Sequence, residues 1–146
     1  MDSAKTLLGE ILLTTKNYKD AIDILESIPN RNREANAVYQ KVTFYRGLEY
    51  YNERAFQNGI SMFMRSNKYI EDDEIHSLST YWLAEAMYEV RKFGESVGNF
   101  EKFMALPASR KTEVYNFAHY ALAYAAFEHE SYRKAATYFT RFLRGN

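Results

Sequence analysis

Residues 81–106 read Tyr-Trp-Leu-Ala-Glu-Ala-Met-Tyr-Glu-Val-Arg-Lys-Phe-Gly-Glu-Ser-Val-Gly-Asn-Phe-Glu-Lys-Phe-Met-Ala-Leu. Apolar positions such as Trp82, Ala86 and Val90 recur at helical spacing, and no segment alternates as a strand would. An aromatic residue followed three positions later by a small one, Phe93 and Ser96, marks the second half. The same pair recurs as Tyr18/Ala21, Phe56/Gly59 and Tyr132/Ala135, at successive spacings of 38, 37 and 39. Those offsets carry over to other columns. Gly9, Gly47, Ala84 and Ala123 form a second small column. Leu25, Phe63, Phe100 and Phe139 form a bulky one, as do Ile28, Ser66, Phe103 and Phe142, apart from the serine. Leu12, Tyr50, Met87 and Ala126 are a looser apolar column, and Leu8, Arg46, Leu83 and Leu122 are interrupted only by Arg46. A fixed period of this length is the signature of a repeat architecture.

Each unit is expected to be two helices. The predicted spans are 3–15, 18–28, 33–51, 53–68, 73–90, 93–105, 110–129 and 132–144. Asn17 and Asn52 are read as separators, Pro29 and Pro107 as terminators of second helices, and Asp72 or Asp73 as the cap of the helix through Tyr88. The expected fold is all-α, a right-handed solenoid of four antiparallel hairpins, with units near 1–30, 31–70, 71–107 and 108–146 in one domain. Small residues in register let the paired helices approach closely. One hairpin cannot bury its own apolar face, so neighbours must stack, leaving a concave inner wall.

The columns resemble the tetratricopeptide repeat family, which places a small residue mid-way in each of two helices with Leu, Tyr and Phe at fixed offsets between them. The likeness covers essentially the whole chain and is clearest in residues 81–106, while 18–28 and 132–143 resemble the second helix. The period exceeds the family's ~34 residues, Arg46 stands at a usual Leu position, and Gly59 and Ser96 replace Ala. The resemblance implies a non-catalytic scaffold. The run Tyr81-Trp82-Leu83-Ala84-Glu85 is also similar to repeats of bacterial cell-envelope members serving the Tol-Pal system and outer-membrane barrel assembly, which implies a periplasmic or envelope setting. In the chaperone-binding branch, Lys and Asn on successive first helices clamp a carboxylate terminus. Phe44, Leu48, Tyr81, Glu85, Tyr120 and Tyr124 stand at the comparable positions here, so that activity does not carry over.

Composition fits this reading. The chain has 146 residues, 47% apolar and 26% charged, with only 6 Gly and 2 Pro, as expected of one folded globular domain. Nineteen basic residues balance nineteen acidic ones, and the halves 1–73 and 74–146 carry −1 and +1, so a whole-domain footprint for nucleic acid or anionic membrane is lacking. The chain has no Cys, which removes disulfides and thiolate chemistry while leaving the compartment open. The N-terminus lacks a basic segment followed by an apolar run, and the longest apolar stretch, Tyr120 to Phe127, is far too short to span a membrane.

The uncommon feature is aromatic content, 13 Tyr, 10 Phe and 1 Trp, which favours a binding protein. In a stacked array the first helices would line the groove with Phe44, Leu48 and Tyr51 in unit two, Tyr81, Glu85 and Tyr88 in unit three, and Phe117, Tyr120, Tyr124 and Phe127 in unit four. A peptide or helix of a partner protein is the expected guest, with packing between neighbouring first helices as the competing role for each ring. At the C-terminal end Phe139, Phe142 and Leu143 would meet either a continuing array or a second copy, unless Phe139 and Phe142 pack inward on unit four. A structural spacer working through its ends is the alternative function. No cofactor or metal is expected. His76, His119 and His129 do not pair, the last two lying ~15 Å apart along one helix, and the Asp72, Asp73, Glu74, His76 cluster reads as helix capping.

Overall fold

The computed structural model describes residues 1–145. Eight α-helices follow in order: α1 (Asp2–Thr14), α2 (Tyr18–Glu26), α3 (Arg33–Asn52), α4 (Phe56–Ser66), α5 (Asp73–Glu89), α6 (Phe93–Ala105), α7 (Tyr115–Glu128) and α8 (Tyr132–Arg144). There is no strand among the described residues.

The period of the sequence is written into the turns. Lys16, Arg54, Arg91 and Glu130 are the residues with left-handed backbone, at φ 63°, 63°, 66° and 61°, and their spacings are again 38, 37 and 39. Each ends the first helix of a hairpin. The amides of the next residues, Asn17, Ala55, Lys92 and Ser131, donate back to the carbonyls of Leu12, Tyr50, Met87 and Ala126 at 2.8–2.9 Å, the looser apolar column of the sequence. The left-handed residues themselves donate to Leu13, Tyr51, Tyr88 and Phe127 at 2.9–3.1 Å. Both bonds together make a Schellman turn, which satisfies carbonyls that a helix end would leave open. Three of the turns are pinned by an aromatic pair meeting edge to face: Tyr51 on Phe56, Tyr88 on Phe93 and Phe127 on Tyr132, with centroids 5.1–5.5 Å apart.

These turns correct the predicted boundaries. Asn52 is the last residue of α3, and reversal consumes 53–55, so α4 starts at Phe56 rather than 53. Pro107 opens a 3-10 turn, Pro107–Lys111, where its fixed φ and missing N–H cost nothing, and α7 begins at Tyr115 rather than 110. Asp72 does cap α5, its carboxylate accepting from the Ile75 amide at 3.0 Å.

The chain divides into two compact units, Met1–His76 and Ser77 onward. In the first, α1 pairs with α2 and α3 with α4 around Ala21, Ile22, Leu25, Ile28, Ala35, Val38 and Val42. Gly47 lets α4 come so close that an added Cβ would stand 2.5 Å from the Phe63 ring. Buried Gln40 clasps the backbone of Asp72 in both directions, at 2.9 and 3.0 Å, and its carbonyl accepts from Ser66 at 2.8 Å. That hydrogen bond accounts for the serine in an otherwise bulky column. Tyr39 donates to Glu26 at 2.6 Å beneath the Arg31 guanidinium, and burial followed by the Glu26 bond pushes its hydroxyl up to about 12. Arg46, the exception in its column, lies over the Tyr50 ring at 4.0 Å and bonds Glu49 at 2.9 Å, so its guanidinium is engaged by its own helix.

In the second unit Tyr81, Ala84, Val97, Phe100, Phe103, Ala118, Leu122, Ala125 and Ala135 form the core. Burying each phenylalanine contributes ~1.5–3 kcal/mol. Ser96, in the small column, donates to the Ala84 carbonyl at 2.8 Å across the hairpin, a bond Ala could not make.

Candidate functional site

α7 has two unlike faces. Ala118, Ala121, Leu122, Ala125 and Ala126 are buried, and the small side chains bring the neighbouring helices close. Along the opposite side run Phe117, Tyr120, Tyr124 and Phe127, at steps of three, four and three that form one helical stripe. Phe117, Tyr124 and Phe127 are 47%, 41% and 51% exposed. The rings form a chain, Phe117 to Tyr120 at 5.3 Å and Tyr120 to Tyr124 at 4.9 Å. A hydrogen bond with Tyr124 raises the pKa of the Tyr120 hydroxyl.

On one flank α8 supports the stripe. Phe139 lies 5.9 Å from Tyr120 and 5.5 Å from Tyr124, and Phe142 lies 5.2 Å from Tyr120. Both rings are half-buried inside the hairpin, the inward packing weighed from the sequence, and the end-contact reading does not suit them; Leu143 is 73% exposed. On the other flank stands the C-terminal part of α5. Glu85 is half-buried and accepts from Tyr81 at 2.7 Å, and burial raises its pKa against the lowering effect of that bond. The pKa of the Tyr88 hydroxyl is raised by burial first and then by the charges of Glu128 and Glu89, so carboxylates of both α5 and α7 act on it.

Two of the sequence-predicted groove residues are core residues instead. Phe44 is 2% exposed, against Tyr45 and Phe63, and Tyr81 is 1% exposed among Trp82, Phe100 and Phe103. Their rings complete the hairpin interiors and offer no surface to a guest. Leu48, Tyr51, Glu85, Tyr88 and Tyr120 are half-buried, and Tyr51 and Tyr88 spend one edge on the turns. Sequence reasoning passed over Glu89 and Glu128, both exposed, and the outward face of α1, where Leu7, Leu8 and Ile11 are exposed. The helical spacing of Leu7, Leu8 and Ile11 was the available signal for the latter.

Among the described residues no group of three or more His, Asp or Glu side chains is placed to hold a metal ion. His119 is buried edge-on to Tyr115 at 5.3 Å, His129 packs beside Gly94, and burial lowers the pKa of His76. No described helix is long and apolar enough to cross a membrane.

Comparison with known proteins follows the same lines. No family model matches the chain, and no curated protein matches it. Solved structures do. MamA (AMB-1) superposes with a TM-score of 0.62 at 13% identity, covering 98% of this chain and 90% of MamA. Pseudomonas aeruginosa PilF gives 0.61 at 17% identity, over 99% of this chain and 76% of PilF. The nearly identical TPR-like repeats of a Podospora anserina putative kinesin light chain give 0.61 at 14%, over 97% and 73%. The fold is that of the tetratricopeptide-repeat (TPR) solenoids. At these identities the likeness is one of architecture, and in this chain the first helices α3 and α5 run to 20 and 17 residues.

Proposed function

We propose that the chain is a non-catalytic protein–protein interaction module that takes a peptide or helix of a partner on the first-helix side of its hairpins, along the aromatic stripe of α7. The observation that carries this reading is the unbroken run Phe117, Tyr120, Tyr124, Phe127, three of them large apolar side chains left exposed on a helix whose other face is fully packed. Tyr and Phe bring large contact area with few torsions to freeze, and the Tyr hydroxyls can bond a guest's backbone. Tyr88 and Glu85 border the stripe. The TPR-like fold supports a scaffold role. Replacing Phe117, Tyr124 and Phe127 together by Ser should abolish capture of the partner in a chain that still folds, with only a modest fall in melting temperature from the lost Phe127–Tyr132 and Tyr124–Phe139 ring contacts. A partner retained at wild-type strength would refute the groove; a large loss of stability would mean the rings serve packing.

A further inference from the structure

The zero net charge of the chain conceals a segregation within the second unit. From Ser77 to Glu89 and from Tyr115 to Glu128 there is no Lys or Arg, and the three charged residues in these two stretches are Glu85, Glu89 and Glu128. α8, by contrast, carries Arg133, Lys134, Arg141 and Arg144 and no carboxylate. Three of the nine cations of that unit are engaged elsewhere: Lys134 pairs with Glu101 at 3.2 Å, Arg141 lies over Tyr138, and Arg91, the cation nearest the end of α5, lies over Phe93. None of Glu85, Glu89 and Glu128 forms an ion pair among the described residues.

Two features make this more than a solvated acidic surface. Glu85 and Glu89 stand four residues apart on one helix, a like-charge spacing that costs rather than stabilises. Tyr88 lies beside both on α5 and within the electrostatic reach of Glu128 on α7, so the three carboxylates are gathered around the end of the exposed stripe. Negative charge near Tyr88, with Tyr124 and Phe127 on the adjoining stripe, is complementary to one kind of guest: an ammonium or guanidinium that meets a ring and a carboxylate at once, while its stem and apolar neighbours cover the stripe.

We propose that the occupant of this face is a positively charged amphipathic segment of a partner protein, presenting Arg or Lys beside apolar side chains, with Glu85, Glu89 and Glu128 selecting its charge. This rests on the groove reading above and deepens it. Three synthetic helical peptides with identical Leu positions and either Arg, Gln or Glu on their flanks would be titrated into the full isotope-labelled chain, following amide shifts of α5 and α7. The Arg peptide should perturb Tyr88, Tyr124, Phe127 and Glu128 and bind about tenfold tighter than the Gln peptide, with the advantage shrinking as salt is raised. The double substitution Glu89→Gln/Glu128→Gln, at two exposed positions, should erase most of that advantage, with a melting temperature equal to the wild type's or slightly above it as the Glu85–Glu89 repulsion is relieved. Equal or tighter binding of the Gln or Glu peptide, or a preference that survives the double substitution, overturns the charge selection and leaves the groove intact. If no peptide shifts the stripe, the groove reading fails with it.

Discussion

Gly47→Ala separates close packing from helix propensity, because the two act in opposite directions. In the interior of a helix, Ala is favoured over Gly by ~1 kcal/mol. At position 47 the new Cβ would stand 2.5, 2.7 and 3.0 Å from three atoms of the Phe63 ring, whereas carbon atoms rest about 3.5–4.0 Å apart. The ring would have to retreat by about 1 Å. It has nowhere to go: Phe63 is fully buried beside Phe44, at 6.1 Å between centroids, and α4 is itself held close, since a Cβ at Gly59 would already lie 3.3 Å from the Gly47 carbonyl. Overpacking of this kind costs ~1–3 kcal/mol, and a clash with a rigid buried ring belongs at the upper end. Subtracting the propensity gain leaves a net loss of about 2 kcal/mol. Gly98→Ala supplies the control, since nothing lies within 4 Å of its added Cβ in the middle of α6; it should stabilise by ~0.5–1 kcal/mol. Urea titration monitored by circular dichroism would read both as shifts in midpoint at constant slope. Adding Phe63→Leu to Gly47→Ala should recover part of the loss. The reasoning fails if Gly47→Ala matches or exceeds the wild type, as Gly98→Ala should.

Two more outcomes follow from backbone and charge. Lys16 holds a left-handed backbone at φ 63° that costs an L-residue ~1–2 kcal/mol, so Lys16→Gly should stabilise by about 0.5–1 kcal/mol after the extra entropy of unfolded glycine, measured by the same titration. Glu85 has a raised pKa, caused chiefly by burial, so between the ordinary carboxylate range and its folded value the folded state binds more proton than the unfolded one. Its contribution is therefore full below that range and lost as pH rises through the folded value. Glu85→Gln should accordingly be more stable than wild type at pH 7, with the difference closing as the buffer is acidified; a gap independent of pH would show that the carboxyl's charge is not responsible.

The repeat was legible because it depends on which residues can be small. Gly9, Gly47, Ala84 and Ala123 recur where backbones must approach, and the left-handed residues then recur at the same three spacings although Lys, Arg, Arg and Glu share no chemistry that would announce them. A Schellman turn is defined by backbone hydrogen bonds, and with no glycine at its left-handed position it leaves no residue signature, which is why 53–55 read as helix. The site was legible only in part for a related reason. Helical spacing assigns Phe44, Tyr81, Tyr120 and Tyr124 to equivalent faces of their helices, yet equivalence of face does not fix exposure, which depends on what covers that face. Phe44 and Tyr81 are closed in by the rings of their own hairpins, whereas Tyr124 has Phe139 on one side and solvent on the other. Charge behaves in the same way: a zero sum over the chain excludes a basic or acidic whole, but says nothing of a unit whose first helices keep three glutamates near one ring while its last helix gathers four cations. A partner reads the local arrangement, so in a solenoid it is the charge of each helix face, and not of the chain, that carries information about the guest.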